Sequence, residues 1–334
     1  MRFWTRESAI GNHSEEASTA PSDASPRMAR EKPAPEAAVV TPPRAAAVPR
    51  RTRPWYADVW VQMLRRKPLG TIGGVIVVVM LAAAVLADVV SPYGFAQTSL
   101  PERFITVSGG HWLGTDQLGR DLLTRLIYGA RISLYVGFGA VALASVLATV
   151  LGIFCAYFGG RFDLWLQRGV DAWMAFPPLL LLMSIMSLLG PNVWNITTVL
   201  GVAFGIQNSR IIRGVALSIK EYTYVEGAKA LGSGHLRITI GHILPNVLPT
   251  IIVVATTGLS TVILTEASLS FLGLGVPPPY PTWGGMLSLA GLDHVYQAPW
   301  LAIWPAVALS LAVFGFNMLG DALRDLLDPR LKGG

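Results

Sequence analysis

Apolar runs of roughly 20 residues without a charge recur along this chain, and each is long enough for a helix to cross a bilayer. A segment in hydrocarbon has no water for its backbone polar groups, so a run of this kind satisfies them within its own helix. Composition agrees: 52% of residues are hydrophobic, only 14% are charged, and mean hydropathy is +0.50. The expected fold class is therefore an all-α, multi-pass membrane protein. Six helices are predicted, at about 69–90, 132–158, 170–190, 194–212, 247–269 and 300–319. Pro177-Pro178 must kink the third or delay its start, and Asn195 and Gln207 weaken the fourth. Five helices, with the fourth lying in the interface, is the alternative.

The first apolar run begins only after about 68 residues, so no N-terminal signal peptide is expected. Residues 1–54 are rich in Ala, Pro, Ser, Glu and Arg and are expected to be a disordered tail. Cys155 is the single cysteine and falls mid-membrane, which supports neither a disulfide nor a thiolate site. With the N-terminus inside, only Arg103, Arg120, Arg125 and Arg131 of the 26 basic residues fall on the outer side. The positive-inside bias thus puts both termini in the cytoplasm. It also accounts for the net charge of +6, leaving a nucleic-acid partner little to explain.

A polar island, Glu221 to Pro249, interrupts the apolar chain on that same cytoplasmic side. Ala228, Lys229, Ala230 and Leu231 favour a helix, and Gly232 suits a left-handed residue just past its end. Ser233 offers an N-cap to a second short helix ending before Pro245. A folded element held outside the bilayer calls for something to dock on it.

Glu226-Gly227-Ala228, then Gly232, then Leu244-Pro245 resemble, in spacing, the EAA signature of ABC importer permeases. Gly227 and His242 depart from that pattern. Further matches are Gly114–Asp121 with Gly129–Leu134, Tyr157–Gly160, Ala175–Pro177, Glu266–Gly275, and the ending Phe316-Asn317 through Arg330. Over about 55–332 the chain is similar to the C-type permease of the dipeptide/oligopeptide subfamily. The resemblance implies a type I importer permease fold. It divides the chain into a tail at 1–54, a helix and external segment at 55–128, a permease core at 129–321 and a C-terminal tail at 322–334. It implies that Glu226, Gly227, Ala228, Gly232, Leu244 and Pro245 form a coupling helix for a separate ATPase. The implied partners are a second homologous permease, two ATP-binding subunits, an extracytoplasmic solute-binding protein and membrane lipid, in a bacterial inner membrane.

The chain itself has no G-x4-G-K-[ST] phosphate loop, so ATP and Mg are expected on the partner ATPase, with no cofactor or catalytic residue here. Glu266, a carboxylate inside an apolar run, is a candidate for lining a pathway or gate; the alternative is a carboxylate at the outer interface bonded to nearby backbone. Asp116, Arg120 and Asp121 are expected to cap and pair along an interfacial helix, worth about 0–1 kcal/mol per pair. Trp283, Trp300 and Trp304 read as interfacial anchors, as do Trp55 and Trp60. His111, His235, His242 and His294 lack metal-ligand spacing. A self-sufficient secondary transporter and a membrane anchor are the competing functions. Dipeptides, longer peptides, glutathione and nickel complexes all fit the subfamily pattern.

Overall fold

The computed structural model describes residues 68–288 and 294–327. The tail expected at 1–54, with Trp55, Trp60 and the residues from 328 onward, lies outside the described residues. Among the described residues the chain is helical, and its one β-bridge joins Thr115 to Asp121. Four helices are long and apolar enough to cross a membrane: α1 (Pro68–Val85), α3 (Leu122–Phe158), the run His235–Phe271, and α11 (Trp300–Leu327). The helix predicted at 69–90 breaks at Leu86, and Ala87–Val90 forms a separate turn, α2.

The third predicted helix is two. α4 (Gly160–Met174) and α5 (Pro178–Leu189) meet at 89°, and taken as one broken span they would make a fifth crossing. Proline fixes the corner: it bars the residue before it from the α region, while Pro178 itself suits the first position of the new helix. α4 is the polar arm. Asp163 accepts two bonds from Arg213 at 2.7 and 2.5 Å, and Asp171 pairs with Arg210. The fourth predicted helix extends past its expected end as α6, Val193–Lys220, capped by Asn192 accepting from the Trp194 N–H. Asn195, Gln207 and Asn208, with Arg210 and Arg213, make it less apolar than the four long helices above.

Close contacts at small residues give the helix directions. Gly139 lies against Thr197, Gly201 against Leu143, Gly205 against Leu147, and Gly152 against Ile212. Numbers rise together, so α3 and α6 run parallel, and they form the most extensive helix pair in the fold. The chain must return between them, and α4–α5 supply the return. Ser133 meets Glu266 and Gly137, four residues on, meets Ile263 and Leu259, so the long helix α9 (Leu244–Phe271) runs antiparallel to α3. Gly320 on Thr257 and Gly70 on Ala322 set α11 against α9 and α1 against α11. Pro68, the 221–243 loop and the end of α11 therefore share one face, and 91–121 and 272–288 the other.

Candidate functional site

On the first face the polar island folds into α7 (Thr223–Ala230), a single turn α8 (His235–Ile238), a π turn (Thr239–Ile243) and then α9. Gly232 has φ +79°, its N–H bonds Lys229 O, and the Ser233 N–H bonds Ala228 O. That pair of bonds is a Schellman stop, as expected for Gly232. Two expectations fail. Ser233 completes the preceding stop instead of capping the next helix, whose N-cap is Gly234 without a side-chain bond. The second helix also does not end before Pro245 but continues through it to Phe271. The π turn sits just before Pro245, where an α ladder would need an N–H that proline lacks.

Side-chain burial anchors this loop to the membrane helices. Val225, Ile238 and Ile243 are buried in one cluster with Ile153, Tyr157 and Ile219. Ala228 and Leu244 pack against its edge. The Tyr157 hydroxyl lies 2.7 Å from His235 Nδ1, and Lys220 Nζ donates to the Ala156 and Tyr157 carbonyls at 3.0 and 2.8 Å. The lysine thereby covers the orphan carbonyls where Gly159 and Gly160, both at positive φ, end α3. Glu226, Gly227, Gly232 and Pro245 are exposed, beside Tyr222, Tyr224, Leu231 and Leu236. Leu231 is 88% exposed and Leu236 69%. The loop is thus held by one set of apolar side chains and presents a second, Leu231 and Leu236 among them, on its surface.

A Cβ added at Gly227 would meet nothing within 4 Å. Gly227→Ala is therefore expected to stabilise α7 by about 0.5–1 kcal/mol, read as a raised thermal midpoint of the purified protein.

Glu266 is fully buried between α3 and α9. Its carboxylate accepts from Ser133 Oγ at 3.2 Å and from Ser270 Oγ at 2.6 Å. These side-chain partners, rather than open space or nearby backbone, surround it. Trp283 is no interfacial anchor: it is 1% exposed, donates from Nε1 to Leu126 O at 3.2 Å and lies over Gly129. Trp300 likewise donates inward, to Thr115 O.

The charged segment before α3 also differs from expectation. Asp121 does cap α3, accepting from the Thr124 N–H at 2.8 Å and bonding His111 Nδ1 at 2.9 Å. Asp116 and Arg120, however, are buried rather than paired on a surface. Gly114 and Gly119, at φ +84° and +69°, fold the segment back on itself, and a Cβ at Gly119 would collide with Ser99 O. A surface value of 0–1 kcal/mol does not apply to such a pair. Nearby, the Tyr128 hydroxyl and then Arg131 hold the exposed Asp88 carboxyl below the usual carboxylate range.

The geometry defines a multi-pass helical membrane protein with an ordered, anchored loop on one face and a folded, charge-rich segment on the other. Comparison with known proteins names the family. Residues 148–333 match the binding-protein-dependent transport system inner membrane component, and 54–105 match the N-terminal TM domain of oligopeptide transport permease C. The chain is 40% identical over 271 residues to the dipeptide transport system permease protein DppC of Alkalihalophilus pseudofirmus, covering 81% of this chain and 89% of that one. It is 37% identical over 289 residues to DppC of Bacillus subtilis, covering 86% and 90%. It is 38% identical over 283 residues to the glutathione transport system permease protein GsiD of Pectobacterium atrosepticum, covering 84% and 92%. This chain belongs to the family of binding-protein-dependent transport system inner membrane components, the permeases of ABC importers.

Proposed function

We propose that the chain is one of two permease subunits of an ATP-driven peptide importer, with six crossings, both termini in the cytoplasm and transport by alternating access. The observation that carries this reading is the likeness to dipeptide permeases over four-fifths of the chain. The loop of Glu226, Gly227, Ala228, Gly232, Leu244 and Pro245 couples it to two ATP-binding subunits, which hold ATP and Mg and do the hydrolysis. A second permease completes the pathway, and an extracytoplasmic binding protein delivers the substrate. Glutathione is the second substrate reading, supported by the likeness to GsiD.

The test is to co-express the chain with candidate partners, purify the assembly in mild detergent and reconstitute it. Uptake of a labelled dipeptide that requires ATP and the binding protein is the expected result; a chain that purifies alone and transports without ATP would remove the reading. Glu266 acts within it as a tie between α3 and α9 near the outer face. Glu266→Gln is expected to lower the thermal midpoint while uptake per assembled importer stays unchanged. Loss of uptake in a fully assembled importer would instead make Glu266 a gate.

A further inference from the structure

On the face opposite the coupling loop lies a cavity of about 380 Å3 between the outer segment, the start of α3 and the Pro-rich stretch after α9. This volume is within the range of small-molecule sites, about 300–1,000 Å3. Its walls are unusual in charge. Arg120 and Arg125 both line it, and both are more than nine-tenths buried. The neighbouring carboxylate is already saturated. Asp116 Oδ1 accepts the Leu118 and Arg120 N–H groups at 2.9 Å, and Oδ2 accepts Arg120 Nε at 2.6 Å and faces Arg125 Nε at 3.6 Å. Asp121, the other buried acid of this segment, is turned to His111 and the α3 N-terminus, and Glu266 is met by Ser133 and Ser270.

One carboxylate thus serves two guanidinium groups. Arg125 spends Nη1 on the Phe95 and Pro279 carbonyls, at 3.2 and 3.5 Å. Its Nη2 and both terminal nitrogens of Arg120 have no hydrogen-bond partner among the described residues. These nitrogens open on the cavity, where water or an entering anion can meet them, and a charged acceptor there makes the stronger bond. The planar donor fork matches a carboxylate. Tyr280 at the cavity and the apolar Met286 and Leu301 beside it offer surface for an uncharged remainder.

We infer that this cavity is an outer-face subsite for the C-terminal carboxylate of a short peptide. The inference rests on the peptide-importer reading above. The peptide's acid group bonds the free nitrogens of Arg120 and Arg125 and restores local neutrality. Its side chains lie along the apolar wall.

The test uses the importer assembled with its partner subunits in lipid nanodiscs, without the binding protein, titrated calorimetrically with trialanine and with trialanine amide. Trialanine is expected to bind about tenfold or more tightly than its amide, the size of a charge-assisted bond. Arg120→Gln should bring the acid down to the level of the amide, and Arg120→Lys, which keeps charge without the fork, should fall between. Exposed Arg103→Gln should leave both unchanged. Equal binding of acid and amide, or binding of neither, by the unmodified importer overturns the subsite whether or not the variants assemble. So does an Arg120→Gln effect confined to docking of the binding protein. Peptide uptake measured in parallel separates the two readings. Uptake without acid discrimination removes the subsite alone, and discrimination without uptake removes the substrate reading.

Discussion

Trp283→Ala is expected to destabilise the protein by about 3–5 kcal/mol, because it empties a fully buried site of its largest side chain. The indole lies on Gly129 of α3, with Cδ1 3.2 Å from where a glycine Cβ would stand. Its N–H reaches the Leu126 carbonyl, so the pyrrole edge of the ring is held against α3 by both packing and a hydrogen bond. The next residue closes the joint from the other side. A Cβ at Gly284 would meet Ala267 O at 2.3 Å and Ala267 Cα at 2.5 Å, both backbone atoms of α9. α10 (Trp283–Leu287) is thus wedged between α3 and α9, started by Thr282 accepting from the Gly285 N–H. Gly284→Ala has no flexible neighbour to push aside and should cost about 1–3 kcal/mol or more. Trp283→Phe keeps most of the volume and loses the hydrogen bond, about 1 kcal/mol. Thermal or denaturant unfolding of the purified protein ranks the three. A tryptophan serving only as a belt anchor would show almost no unfolding cost on substitution, which is the result that would overturn this assignment.

Trp283 shows where sequence reading stops. A tryptophan in a Pro-rich loop between apolar runs has the local signature of an interfacial anchor. What buries it is Gly129, 154 positions away, and no local pattern reports that contact. Asp116 and Arg120 follow the same logic: their spacing is that of an ordinary surface pair, and only the backward fold at Gly114 and Gly119 puts them inside. The spans were legible because hydropathy is a summed property of a whole segment. The α7 stop was legible because Gly232 sets it locally, through its own backbone freedom. Pro245 misled for the converse reason. Proline forbids one hydrogen bond, and a π turn absorbs that loss without ending the helix. The Tyr157–His235 bond, 78 positions apart, had no sequence signal beyond Tyr157 lying in a motif and His235 lying in the polar island.

Glu226→Lys is expected to lower uptake by about tenfold or more in the assembled importer, equivalent to at least about 1.4 kcal/mol lost from productive docking, while ATP hydrolysis continues. Glu226 sits in the first turn of α7 with its side chain exposed, so its reversal costs the fold only about 0.3–1 kcal/mol through the helix dipole. Stability and coupling are therefore separable at this position. A short Gly-Ser insertion after Gly232 is the stronger test. It leaves Val225 and Ile238 in their buried cluster but breaks the fixed Schellman link between them. In the proposed importer α7 would still meet the ATPase, yet its displacement would no longer reach α8 and the continuous helix from His235 to Phe271. The measurement is the ratio of peptide transported to ATP hydrolysed in proteoliposomes, alongside the yield of assembled complex. A falling ratio at normal yield supports force passing through the loop. A normal ratio at reduced yield would show that the loop serves folding and assembly, and that the exposed Tyr222, Leu231 and Leu236 face is structural instead.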